Sequence, residues 1–484
     1  MAKKRLSKKH KKHNKISNKV KINSNHASLC ALAPVIKDKN VLGPIHNKVN
    51  IKQKKILYSP TDKLVFLTLG IMSGIQSVYD INYKLRIDKA LLKAFGYQKC
   101  ADQSVIQETL NAVSQENIQQ MESATDEIFK QYNLSTSLIE KAQKENKIVT
   151  IDIDLSGQIA SKKAEQSTKG YFSGKKNAYG RQLARVLVSE TQEIVAESLY
   201  SGNTVSWRHD VFKEMITKME IMLSIQSKKQ RNSICLRLDS GFGTDKNINY
   251  ALWLGYHLLV KMRCSKRVKK LSKSVTQWID IPSDSESNPR QAGLVTQSHR
   301  YGKRTRQIAI KKKIKKGYTY SVIVTTDFET DILSIVSDYD ARGGKPESSF
   351  CQDSQGLSSV KRRKHSFLAQ QMLMLLNQLA HNMILWIQNW LIESIQTMSE
   401  EPVISEQSSE SEPCEKSLII KTVKERGMKR FVHHLLSISG SVILKGQRVC
   451  KIVFNPLYPL IKRIIIAFRA LLRPYGIMVS LDEI

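Results

Sequence analysis

At 484 residues, 41% of them hydrophobic, the chain is too long for one ordinary core and has enough apolar material to fold. Its 77 Lys and Arg against 43 Asp and Glu leave a net charge of +34, which favours polyanions, nucleic acid first among them, although a merely basic protein would show the same balance. Seven scattered cysteines without a paired spacing argue against a zinc module or a disulfide framework, and no apolar run is long enough to span a bilayer, so a cytoplasmic, nucleoid-associated protein with no membrane partner is expected.

Residues 1–57 read as a basic, disordered tail, because the first 25 hold ten Lys or Arg and no acid. Such a tail can lie along phosphates or only solubilise. Residues 58–146 read as a helical domain, either DNA-binding or packed on itself. Thr61-Asp62 precedes an apolar run, and Ser104 with Glu108 introduces Val105, Ile106, Leu110 and Val113 at helical spacing. At Lys147 the period changes to that of strands. Over 147–263 the elements run βββαβαβ, which makes the fold class α/β: a ribonuclease H-like mixed sheet flanked by helices. Residues 264–338 form a β-rich insertion, with 306–310 and 318–326 as strands around a turn at Gly317. The core resumes over 339–399, where Leu368, Met372, Leu375, Leu379, Met383 and Trp386 make one apolar stripe. Residues 400–417 read as an acidic linker, and the basic segment 418–484 receives no role.

Three acidic positions stand out by context. In Thr150-Ile151-Asp152-Ile153-Asp154 the two aspartates share a strand face while the isoleucines point to the core. Strand interiors disfavour Asp, and two on one face repel unless a cation or donors neutralise them. Asp239 ends the apolar strand Ile234-Cys235-Leu236-Arg237-Leu238 before Ser240-Gly241-Phe242-Gly243, the position where α/β sheets place ligand sites. Glu347 follows Tyr339, Arg342 and a Gly-Gly-Lys-Pro turn. Phosphodiester transfer needs an activated oxygen nucleophile and a neutralised leaving oxygen. Two divalent ions about 4 Å apart, held by carboxylates, supply both. Each acid on its own could equally be a solvated residue, a cap or an ion-pair partner among so many cations.

Together these motifs resemble the DDE transposases of bacterial insertion sequences, in the group whose ribonuclease H-like core carries a β-strand insertion before the Glu. The resemblance covers 147–390. It rests on the Asp152/Asp154 strand ending at Ser156, Lys169-Gly170-Tyr171, Tyr200-Ser201-Gly202-Asn203, Leu236 to Phe242, Tyr339-Asp340-Ala341-Arg342 leading to Glu347, the tract from Phe350 to Leu357, and Gln378-Leu379-Ala380-His381-Asn382. It implies a transposase that cleaves and joins DNA with Asp154, Asp239 and Glu347 on two Mg²⁺ ions, Mn²⁺ being the alternative. Asp152 competes with Asp154 for the first position or serves as a further metal ligand. Tyr339 and Arg342 match a Tyr-Arg-Glu-Lys type signature that implies contacts to DNA. Glu347 comes one residue later than that signature expects, and its Lys falls on Ser354, so the cluster Lys361, Arg362, Arg363 and Lys364 is the candidate replacement. The implied partners are double-stranded DNA (terminal inverted repeats and target) and a second copy in a homodimer. A catalytically inactive DNA-binding derivative and a ribonuclease H-like nuclease are the competing functions.

Overall fold

The alternation of Ile and Asp that marks 150–154 is the start of an eleven-residue strand on which the rest of the fold is hung. The computed structural model describes residues 19–53, 57–172, 174–175, 177–282, 289–342, 346–398 and 415–482; the side chains of 346–348 and 415 fall outside that description. In chain order the strands are β1 (Lys19–Ser24), β2 (Val149–Ile159), β3 (Thr168–Lys169), β4 (Tyr179–Val188), β5 (Ile194–Ser201), β6 (Ile234–Leu238), β7 (His257–Lys261), β8 (Ile279–Ile281), β9 (Arg290–Leu294), β10 (Arg306–Ile314), β11 (Gly317–Thr325), β12 (Gly440–Lys445), β13 (Arg448–Phe454) and β14 (Met478–Leu481).

The large sheet runs β3-β4-β2-β6-β7-β11-β10-β9-β8, with β5 also paired to β4. β2, β4 and β5 form an antiparallel meander, and β6 and β7 follow parallel to β2, each reached through a helix (His209–Met222, then Asp245–Leu254). This is the expected α/β architecture, a large mixed sheet with flanking helices. Its strands β4 to β7 are buried over most of their length, polar positions included, with helices packed against the sheet.

The insertion is not a separate body. β11 pairs antiparallel with β7, Val324 opposite Val260, so four further strands continue the core sheet. The turn between β10 and β11 is where Gly317 was expected to act, and its φ of +111° is a backbone state that a side chain disfavours.

One helix, Phe367–Gln396, serves as the spine. It is buried on most of its circumference and touches helices Pro60–Met72, Gln115–Tyr132 and Ile461–Leu472 as well as β5. Met372, Leu375, Leu379, Met383 and Trp386 of the stripe are buried. Gln378 and Asn382 use their amides differently. Asn382 Oδ1 accepts from the Ile194 N–H at 3.0 Å, and its Nδ2 donates to the Ile194 carbonyl at 2.9 Å, covering the exposed edge of β5.

The N-terminal tail expected over 1–57 is corrected for residues 19–53. β1 pairs antiparallel with β12, and helices Ala27–Asp38 and Gly43–Lys48 bury Leu29, Leu32, Val35, Ile36 and Ile45. The Lys content hid an amphipathic segment whose apolar positions begin at Ile22. Residues 1–18 lie outside the described residues, as do 400–414 of the expected linker. The segment 418–484, unassigned from sequence, completes a four-stranded sheet β1-β12-β13-β14 backed by helix Ile461–Leu472. No helix among the described residues is long and apolar enough to cross a membrane.

Candidate active site

Asp154 and Asp239 come together because β2 and β6 are parallel neighbours. Their register sets Ile153 opposite Leu238, so the next residue of each, Asp154 and Asp239, leaves adjacent strands side by side. The turn after β6 fixes Asp239: its Oδ1 accepts from the Phe242 N–H at 3.1 Å. Gly241 is needed there, since a Cβ would stand 1.9 Å from Ser206 Oγ and 3.0 Å from Asp239 Oδ1.

Arg342 closes the pair. Its Nη2 lies 2.8 Å from Asp154 Oδ1, and the guanidinium is buried, with Asp154 and then Asp239 as the main charges offsetting its desolvation. Tyr339, one turn earlier at the end of helix Ile332–Asp340, is also buried. Burial first, and Asp239, Asp340 and Asp154 beyond it, push its hydroxyl up against the opposing pull of Arg342. Lys261 Nζ sits over the Tyr339 ring at 5.4 Å, and burial lowers its ammonium against the attraction of Asp340 and Asp239. Tyr339 and Arg342 were expected to contact DNA; in this structure they wall the acid pair.

Asp152 does not join them. It is fully buried and forms a two-point ion pair with Arg237, which also donates to the Asp338 carbonyl at 2.6 Å and to Ser189 Oγ at 2.9 Å. Asp152, expected as a further metal ligand, instead accepts from a guanidinium on both its oxygens, and that pair ties β2, β6 and the end of helix Ile332–Asp340 together.

Glu347 lies in the first turn of helix Pro346–Gly356, which packs against β2. Five residues of extended chain limit its Cα to roughly 17 Å from that of Arg342. Ser349 and Asp353 of that helix both bond Arg185, the residue opposite Asp154 across β2 and β4. Sequence reasoning quoted Asp353 and His381 only within longer tracts and missed Arg185 and Glu197; the four meet beneath the acids.

The basic cluster after the helix divides. Lys361 and Arg363 are exposed, bonding only Gln76 and the Val360 carbonyl. Arg362 is 2% exposed, donates to the Ile75 carbonyl and Asn377, and burial lowers it to about 10. It holds the long helix to the N-terminal helices and is corrected as a DNA contact. Lys364 is half-buried on Gln107, and burial, then Arg362, lowers it to about 8. A second cationic surface was not singled out from sequence. Next to Asp239 a groove of about 750 Å³ is lined by Ser240, Lys261, Arg263, Lys269, Lys312 and Tyr318.

A family model described as transposase DDE domain group 1 matches residues 45–403. The chain belongs to this transposase family. No curated protein matches it. Among solved structures it is similar to a cryo-EM structure of the piggyBac transposase synaptic complex with hairpin DNA. That match is 13% identical, covers 84% of this chain and 81% of the other, and has a TM-score of 0.41.

A DDE transposase uses divalent metal, and the donors here can be judged against one. Among the described residues, which leave out the Glu347 side chain, no three His, Cys, Asp or Glu form a metal-binding group. Asp154, midway along β2, and Asp239, just past the end of β6, do offer hard carboxylate oxygens on neighbouring strands, the donor type that Mg²⁺ and Mn²⁺ prefer, and the transposase places a cation, Arg342, against them. That chemistry fits.

Proposed function

We propose that this transposase cleaves DNA at the terminal inverted repeats of an insertion sequence and joins the freed end to target DNA, with Asp154, Asp239 and Glu347 as the acids that hold two Mg²⁺ or Mn²⁺ ions. The observation that carries this is the side-by-side exit of Asp154 and Asp239 from parallel strands, both acting on Arg342. When bound, the ions supply activation of the attacking oxygen and neutralisation of the leaving one.

The chain's own residues do the rest. The Asp239 carboxylate is fixed by the Phe242 N–H, so its free oxygen keeps one direction. Arg342 and Lys261 set positive charge beside the acids, where a scissile phosphate would sit. Arg263, Lys269 and Lys312 extend that charge along the groove, a path for the phosphate backbone. Water attacks the phosphorus at the element end and the bond to the 3′ oxygen breaks; the freed 3′-OH then attacks a target phosphorus, whose bond to the target strand's own 3′ oxygen breaks, that oxygen leaving as a hydroxyl. Two ends cut in one complex imply a homodimer, and DNA as substrate implies a cytoplasmic, nucleoid-associated protein.

The test is strand cleavage and joining of DNA bearing the element's terminal repeats, with Mg²⁺ or Mn²⁺. Wild type should give metal-dependent products that Asp154→Ala, Asp239→Ala and Glu347→Ala each abolish, while Asp152→Asn loses stability first. Cleavage by Asp239→Ala as fast as wild type would overturn the site. Binding of the ends without any product would leave a DNA-binding derivative, and hydrolysis without joining a plain nuclease.

A further inference from the structure

Beneath the acid pair lies a buried charge cluster that no step above uses. Arg185 on β4 stands in register with Asp154 on one side and Glu197 of β5 on the other. Its Nε donates to Glu197 Oε1 at 2.7 Å, its Nη2 to Asp353 Oδ2 at 2.6 Å, and its Nη1 to Ser349 Oγ at 2.6 Å. The Phe350 ring covers the guanidinium, 4.2 Å away. His381 of the long helix completes the group, Nδ1 at 2.7 Å from Asp353 Oδ1 and Nε2 at 3.0 Å from the Gln192 carbonyl. A carbonyl and a carboxylate both accept, so these partners take a proton from each ring nitrogen. Arg185 and His381 thus stand among two carboxylates, none of the four residues more than 6% exposed.

Burying four charges is a poor way to gain stability, since apolar residues of the same volume often do as well or better. What such a cluster gives instead is geometry. Ser349 and Asp353 lie one turn apart on helix Pro346–Gly356, and both are fixed by one planar guanidinium rooted in the strand beside Asp154. Rotating or sliding that helix by one residue would leave buried charges unpaired. Its first turn carries Glu347.

We infer that Arg185 is a positioning residue that sets the rotation and height of helix Pro346–Gly356 over the sheet, and so delivers Glu347 to the metal held by Asp154 and Asp239. This rests on the proposed metal site, deepening it by naming what holds the third acid in place. Asp353 is the helix's anchor point, and His381 keeps that carboxylate aimed at Arg185 from the other side.

The experiment uses the full chain, with Mn²⁺ as the probe, and the variants Arg185→Lys, Asp353→Asn and Ser349→Ala. Amide hydrogen exchange over 346–356 should quicken at least tenfold in Arg185→Lys and Asp353→Asn while exchange over 149–159 stays as in wild type. Mn²⁺ affinity, read by electron paramagnetic resonance, should weaken at least tenfold in the same two, with binding of the terminal-repeat DNA within twofold. Ser349→Ala leaves every charge paired and should move both readouts the same way by a smaller factor; it serves if the other two do not fold. Unchanged exchange over 346–356 overturns the inference, and so does a loosened helix with unchanged Mn²⁺ affinity. A wild type that binds no Mn²⁺ sinks the metal reading itself, seen as such because the exchange arm still reports whether Arg185 holds the helix.

Discussion

Asp152 and Arg237 meet across β2 and β6 in a two-point ion pair, Nε to Oδ1 and Nη2 to Oδ2 both at 2.7 Å, with neither side chain more than 4% exposed. Removing one partner strands the other charge in the interior, so Asp152→Ala should cost about 3–5 kcal/mol of stability. Urea unfolding checks it. Arg237→Ala should cost a similar amount and also free the Asp338 carbonyl, loosening the helix that ends beside Arg342. A loss of metal binding by Asp152→Asn without a fall in stability would return Asp152 to the site.

Arg342 should show a split between binding and turnover. It competes for Asp154 with any incoming cation and also supplies charge to a phosphate. Arg342→Gln is expected to bind Mn²⁺ at least as tightly as wild type, yet to cleave about 10²-fold more slowly, the usual scale for one lost electrostatic contact in a transition state. Single-turnover cleavage at saturating Mn²⁺ measures the second quantity. Parallel losses of both would place Arg342 in the fold rather than the chemistry.

Asp126 gives a pH signature separate from the acid pair. Burial, and then Glu122, pushes its carboxyl up to about 6, against the pull of Lys130, Lys218 and Lys48. A carboxyl raised on folding binds its proton more tightly in the native state. Its penalty is therefore absent below the ordinary carboxylate range and fully present above about pH 6. Asp126→Asn should melt higher than wild type at pH 7.5, and the two curves should converge near pH 4. Equal melting temperatures at both values would refute the shift.

Deleting residues 1–24 removes β1 and leaves β12 as a bare edge. The truncated protein is expected to melt lower and to self-associate, since unpaired strand edges recruit other chains. Light scattering against concentration decides it; a monodisperse, fully stable product would mean β1 is an accessory.

The site was legible where chemistry is local. Ile-Asp-Ile-Asp announces a strand with acids on one face, and Asp239 before a glycine turn announces a strand end, because both signals sit within a few residues. Which cation each aspartate meets was not legible, since Arg237 lies 85 positions from Asp152 and only the parallel pairing brings it near. Arg185 was invisible for the same reason: its partners Ser349 and Asp353 lie 164 and 168 residues away. The buried segment 19–53 was misread because lysines at its surface outweighed the apolar positions between them, and Arg362 because a run of four cations says nothing about which one turns inward.

The sheet that joins β1 to β12 has a bearing on how the molecule is made. Ser24 pairs with Gly440, so the first ordered strand to leave a ribosome finds its neighbour only when nearly the whole chain has followed. Contacts so distant in sequence form late and slowly. Chains cut short by premature termination or by a frameshift upstream of β12 therefore lack the partner for β1 and keep that edge open. A closed seam between β1 and β12 therefore reports that the chain has been read at least through Lys445.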